Sequence, residues 1–153
     1  VDPVLKVHSL GECYRKGNPH YDQRSTVPAI VDVTTGAVVN NDYHDLTTEL
    51  ETAWKKYFRP DAPDLYPEAL HDDIDALNDI IYADVNLAVN LAALVTSQKD
   101  YEFYYNKVFD RLDWLEKRLS SRRYLFGDTI TDPDIRLYVT LARFDLVFYQ
   151  NIM

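Results

Sequence analysis

Two prolines constrain this chain more than any other feature. Pro60 and Pro63, in Arg59-Pro-Asp-Ala-Pro-Asp64, separate two stretches whose apolar residues follow different periods. A proline removes a backbone donor and disfavours helix in the residue before it, so no regular element runs through this segment. The segment is therefore expected to be a linker over 59–66, between a mixed α+β part over 1–58 and a helical part over 67–153. At 153 residues and 46% apolar composition, the chain has enough material for one domain, or one and a half.

The second part is helical by period. Pro67 suits a first helical position. Leu70, Ile74, Leu77, Ile81, Val85, Ala88, Ala92 and Val95 then recur at three- and four-residue spacing along one continuous face. Asp72, Asp73, Asp79 and Asp84 fall largely away from it and read as a solvated surface. A second helix carries Tyr101, Tyr105, Val108, Leu112, Leu115 and Leu119, a pattern that suits antiparallel packing on the first. Arg122 and Arg123 near its end complement the helix dipole. Further on, Thr131 is a helix N-cap, Pro133 lies in the first turn, and Asp134 takes the third position of a capping box. With Ile130 and Ile135 as a hydrophobic staple, these residues contribute about 1–2 kcal/mol to starting that helix. Ile135 to Tyr149 is apolar nearly all round, which predicts a helix at the centre of a bundle.

The first part mixes periods. Leu5 to Lys16 predicts a helix, Asn18-Pro19 a turn, and Val27 to Val33 a short strand broken by Val27-Pro28. Thr34-Thr35-Gly36 marks a reversal into Ala37-Val38-Val39. Asp42 is expected to cap a helix reaching about Tyr57, with Leu46, Leu50, Trp54 and Phe58 four residues apart.

Composition excludes several function classes. A net charge of −9 opposes nucleic acid or an anionic membrane as partner. No apolar run approaches the roughly 20 residues that span a bilayer. The first residues, Val1-Asp-Pro, lack a signal-peptide layout, and a single cysteine provides no disulfide framework, so a reducing cytoplasm is the default. His8, His20, His44 and His71 show no metal-ligand spacing, and there is no phosphate-binding glycine loop. Cys13, in Gly11-Glu-Cys-Tyr14, has no neighbouring proline and no helix start after it. Nothing nearby would stabilise a thiolate, and it reads as a structural thiol.

Strand, proline, hairpin and acidic helix start resemble the second half of a thioredoxin-like domain, in which a cis-proline and a helix N-terminus hold a small thiol. With the proline-bearing linker and a helix opening Thr-x-x-Asp, the whole resembles a glutathione transferase. More narrowly, Asp2-Pro3, Tyr14, Arg24-x-Thr-Val-Pro28, Asp64-Leu-Tyr-Pro67, Ile81-Tyr82, Arg123-Tyr-Leu-x-Gly127, Arg136-Leu and Arg143-Phe-Asp145 resemble the Xi-class glutathionyl-hydroquinone reductases over nearly the entire chain. The fold this implies is an α+β fragment: the second part of a thioredoxin-like domain followed by the all-α C-terminal bundle of a glutathione transferase. Members of that class use a Cys-Pro-Trp cysteine to remove glutathione from glutathionyl-hydroquinones through a mixed disulfide. The resemblance places that motif upstream of Val1, so these residues are expected to be part of a longer protein and inactive alone.

The resemblance also assigns residues. Val27 and Pro28 match the cis-proline site, where the backbone of Val27 would pair with the cysteinyl part of glutathione. Asp42 and Tyr43 stand where the class has a Glu-Ser pair holding the γ-glutamyl end. The shorter acid and bulkier hydroxyl leave open a related thiol such as mycothiol. Tyr82 matches a class tyrosine, although one aromatic on a helix face more often packs. Asn90 replaces a tyrosine that contacts the hydroquinone, and Tyr149 lies near the aromatic end of the acceptor pocket. Expected partners are a small-molecule thiol, a quinone-type acceptor and a second copy in a homodimer, with no metal. Two other readings stay open: a non-catalytic transferase-like domain that binds a thiol or a protein, and a helical interaction module.

Overall fold

In a computed structural model, residues 1–152 are described. The chain divides into two units, Val1–Lys55 and Lys56–Met153, each taken here by itself.

The first unit opens with a turn in which Asp2 Oδ1 accepts the Val4 and Leu5 N–H groups, and Lys6 adopts a φ of 58°. Helix α1 therefore spans only Leu10–Gly17, not the expected start at Leu5. Its beginning is set by a capping box: Ser9 is the N-cap, and Glu12 Oε1 accepts from the backbone N–H of Ser9. Cys13 and Tyr14 form the buried face. Strand β1, Ile30–Asp32, pairs antiparallel with β2, Ala37–Asn40, in a two-stranded sheet. The predicted strand from Val27 is shortened because Pro28 lacks an N–H for a ladder. Asp32 ends β1. Its carboxylate takes the Thr34 N–H and the Thr35 hydroxyl, which holds the carboxyl below its ordinary range, and Gly36 turns the chain back at φ 70°. The positive φ is what favours glycine at Gly36, since the atom a Cβ would meet is the movable end of the Lys16 side chain.

Helix α2 is Leu46–Thr52, followed by a 3₁₀ turn over Lys55–Tyr57, so the helix expected to reach Tyr57 is cut short. The four-spaced residues Leu50, Trp54 and Phe58 are exposed, and no residue of α2 is buried. Without a packed face little sustains a short helix rich in β-branched threonine. The Thr52 hydroxyl also bonds back to the Thr48 carbonyl at 2.7 Å.

In the second unit Pro67 precedes a 3₁₀ turn over Glu68–Leu70, one turn ahead of helix α3, His71–Ile81. The continuous face predicted from Leu70 to Val95 is carried on three segments: α3, a π turn over Tyr82–Asn86, and α4, Ala88–Leu94. Helix α5, Gln98–Leu119, is capped by Ser97, whose Oγ accepts the Asp100 N–H. Helix α6, Asp132–Leu141, starts as predicted: Thr131 N–H and Oγ1–H both donate to Asp134 Oδ2 at 2.9 Å. One core cluster joins Leu77, Ile81, Val85, Leu115, Leu125 and Leu137, and a second joins Ala88, Val89, Val108 and Phe148.

The apolar run from Ile135 behaves differently from the prediction of one enclosed helix. It breaks after Leu141 and resumes as a π turn over Phe144–Tyr149. Arg136, Leu137 and Thr140 are buried, whereas Tyr138 is 69% and Leu146 75% exposed. Among the described residues α6 packs on α3 and the first π turn, so one side only is covered. No helix of these residues is long and apolar enough to cross a membrane.

Candidate functional site

The expected thiol-binding residues belong to the first unit, Val27 and Pro28 on the loop before β1 and Asp42 and Tyr43 on the turn after β2, at the end of the hairpin where Ile30 pairs with Asn40. The Val27–Pro28 peptide is cis. Val27 is 80% exposed, and neither its N–H nor its C=O has a protein partner among the described residues. The segment ahead of it is held from α1. Tyr14, buried, donates its phenol to the Thr26 carbonyl at 2.9 Å. Its ring stacks on that of Tyr21 at 4.6 Å, and Tyr21 donates to the Arg24 carbonyl at 3.0 Å. Two phenols thus fix the backbone on the approach to Val27, while Val27 itself presents one free donor and one free acceptor to solvent.

At the end of β2, Asn40 joins strand, turn and helix. Its Oδ1 accepts the Asp42 N–H at 2.7 Å, and its Nδ2 donates to Glu49 of α2 at 2.6 Å. Asp42 is not the N-cap of α2, as the sequence had implied; that position is Asp45. Asp42 instead closes the preceding turn, where Oδ1 accepts the His44 N–H at 2.8 Å and the main-chain carbonyl accepts the Leu46 N–H. Its Oδ2 has no partner among the described residues, which leaves one carboxylate oxygen for a cationic group. Tyr43 is exposed beside it.

The second unit carries the residues assigned to an acceptor pocket, and their settings differ. Tyr82 opens the first π turn and Tyr149 closes the second. π turns are rare and concentrate at functional sites, a signal that residue spacing does not show. Tyr149 is exposed, with its ring 6.3 Å from that of Phe144. Asn90 is exposed, and its amide donates to the Asn86 carbonyl one turn back at 2.8 Å.

Asp84 is not the solvated residue its spacing implied. It lies in the first π turn and pairs with Lys107 Nζ at 2.9 Å and Arg111 Nη2 at 2.7 Å, both on α5. Burial opposes ionisation of this carboxyl, but the hydrogen bonds from the two cations prevail and hold it below its usual range. Cys13 is fully buried, in keeping with a structural thiol. Among the described residues no group of three or more His, Cys, Asp or Glu is placed to hold a metal.

Tyr21, Asn40, Asn78 and Asp132 were not singled out from sequence, and Arg136 and Tyr14 entered only as parts of motifs. Each acts through a carbonyl or side chain that the sequence does not pair with it.

Residues 98–153 match the model of the glutathione S-transferase C-terminal domain. Glutathionyl-hydroquinone reductase YqjG of Escherichia coli is 39% identical over 98% of this chain and 45% of its own length. Its glutathione-bound structure superposes with a TM-score of 0.86, covering 94% of this chain and 46% of that one. A glutathione transferase from Gordonia bronchialis gives a TM-score of 0.95 at 44% identity, over 99% of this chain and 47% of that one. Glutathione transferase Xi 1 from Trametes versicolor gives 0.87 at 42% identity, over 96% and 51%. The chain spans about half the length of the curated relatives it matches.

Proposed function

From its glutathione S-transferase C-terminal domain and its Xi-class relatives along the whole chain, we propose that the protein containing these residues is a thiol-dependent reductase. It removes a glutathionyl group, or that of a related thiol such as mycothiol, from quinol-type conjugates. The observation that carries this reading is the likeness to a glutathione-bound reductase over 94% of the chain, combined with the unpaired backbone of Val27 beside Pro28.

In this reading the N–H and C=O of Val27 pair with the cysteinyl residue of the thiol. The free Oδ2 of Asp42 receives the ammonium of its head group. Tyr43 bounds that corner and sets which head group fits. The nucleophile is a cysteine outside residues 1–153, since Cys13 is enclosed in α1. Its thiolate attacks the thioether sulfur of the conjugate. The carbon–sulfur bond breaks, the ring carbon takes a proton, and a mixed disulfide forms. A second thiol molecule then attacks that disulfide, leaving as the oxidised dimer and restoring the thiolate. Tyr82, Asn90 and Tyr149 are proposed for the acceptor. With asparagine at position 90 in place of a phenol, the acceptor loses an acidic donor.

The test is intact-mass analysis of the whole protein after exposure to the disulfides of glutathione and of mycothiol. The expected result is one covalent thiol residue per chain, removed by excess thiol. Exchanging Asp42→Glu and Tyr43→Ser together should shift the preference toward glutathione by several-fold. Absence of any adduct with either disulfide overturns the reductase reading. An adduct whose preference ignores both substitutions overturns the roles given to Asp42 and Tyr43.

A further inference from the structure

A cleft of about 420 Å³ lies between α3, α5 and the loop after α5, apart from every residue assigned above. Ala76 and Ile80 line one side, and Trp114 and Phe126 supply aromatic surface on the other. Between the two rings sits Arg118. Its guanidinium carbon is 5.4 Å from the Trp114 ring and 5.2 Å from the Phe126 ring. The side chain is half-buried, and burial pulls its affinity for the proton below that of an ordinary arginine while leaving it charged.

A cation this enclosed normally has a carboxylate, and Arg118 has none within 4 Å among the described residues. Its single hydrogen bond runs from Nε to the Leu125 carbonyl at 2.9 Å, so both terminal nitrogens keep their donors. One nitrogen suffices to hold the loop. The remaining fork, pre-oriented between two rings, is the geometry that receives a planar oxyanion through two parallel hydrogen bonds. Nearby Arg122 adds positive potential, while Asp73 at the rim and Asp134, both beyond ion-pair distance, oppose a second negative charge. The volume lies within the range of pockets that enclose a small ligand, and the rings favour an arene.

We propose that this cleft binds a planar aromatic monoanion, its carboxylate or sulfonate on Arg118 and its ring against Trp114 and Phe126. The site is independent of the thiol chemistry and lies wholly within the second unit.

The probe is 2-naphthoate, titrated into the chain carrying Trp54→Phe so that the indole N–H of Trp114 gives the one indole signal in ¹⁵N–¹H spectra. The expected result is a saturable shift in the low-millimolar range or below. Neutral 2-naphthalenemethanol, acetate and the variant Arg118→Gln should each bind at least about 10-fold more weakly. Ala76→Glu, on the exposed face of α3, should weaken binding similarly by adding a second negative charge at the cleft. The proposal fails if the shift does not saturate, if the alcohol or acetate binds as well as naphthoate, or if Ala76→Glu leaves affinity unchanged. The comparison of probes on the chain with Arg118 intact decides the matter even where Arg118→Gln disturbs the Leu125 loop.

Discussion

Removal of the Asp132 carboxylate should be among the most damaging single changes in the second unit. Asp132 is 1% exposed at the start of α6, and its Oδ2 accepts from Arg136 Nε at 2.7 Å and Asn78 Nδ2 at 2.8 Å. Arg136 is 6% exposed, and Asn78 Oδ1 is already buried without a partner among the described residues. Asp132→Ala therefore removes the carboxylate that the buried Arg136 guanidinium and the Asn78 amide both donate to. Breaking a buried ion pair from one side costs about 3–5 kcal/mol, because the remaining charge keeps its desolvation penalty. With a urea slope of about 2 kcal/mol/M for a domain of this size, the unfolding midpoint should fall by about 1.5–2.5 M. Trp114 fluorescence in a Trp54→Phe background would follow the second unit alone. The double variant Asp132→Asn/Arg136→Met removes both charges and should recover at least half of the loss. A shift in Asp132→Ala below about 0.5 M, or a double variant as unstable as the sum of its singles, would refute the argument that the uncompensated charge dominates.

Two further outcomes follow from the hydrogen bonds. Asp84→Asn should destabilise the second unit by about 1.5–3 kcal/mol near neutral pH, through loss of charged hydrogen bonds to Lys107 and Arg111. Because the folded-state pKa of Asp84 lies below its usual value of 3.8, this advantage is present above that value and lost as pH falls through the folded one. The gap between wild type and variant should thus be steady from pH 7 to about 5 and narrow as pH falls below about 4, as read by urea titrations at each pH; a gap that already narrows between pH 7 and about 5 contradicts the assignment. Tyr14→Phe should cost the first unit about 1 kcal/mol and weaken thiol binding several-fold, by freeing the Thr26 carbonyl ahead of Val27. Unaltered thiol affinity in a measurably less stable variant would make Tyr14 structural only.

The features legible in the sequence were those encoded by neighbours along the chain. Thr131, Pro133 and Asp134 announce the start of α6 because a capping box is closed within four residues. Gly36 marks the hairpin because a positive φ leaves few other choices. Features that went astray depended on a surface supplied from elsewhere. Leu46, Leu50, Trp54 and Phe58 have helical spacing, but among the described residues none of α2 is buried, so the helix stops at Thr52. The run from Ile135 is apolar all round, yet one side alone is covered among the described residues.

By itself, then, the sequence determined the order of elements, the α6 start and the family likeness around Val27-Pro28, all carried by local dihedral preferences and period, whereas the two units meet at Lys55 and Lys56, ahead of the Pro60–Pro63 segment where the period changes. Only the tertiary structure decided which polar groups meet. It brought Tyr14 to Thr26, Asn40 to Glu49, Asp84 to Lys107 and Arg111, and Asn78 to Asp132. It also left the backbone of Val27 and the terminal nitrogens of Arg118 without hydrogen-bond partners among the described residues. A partner across dozens of residues is chosen by packing, and hydrogen-bonding groups that packing leaves over are where a ligand can bind.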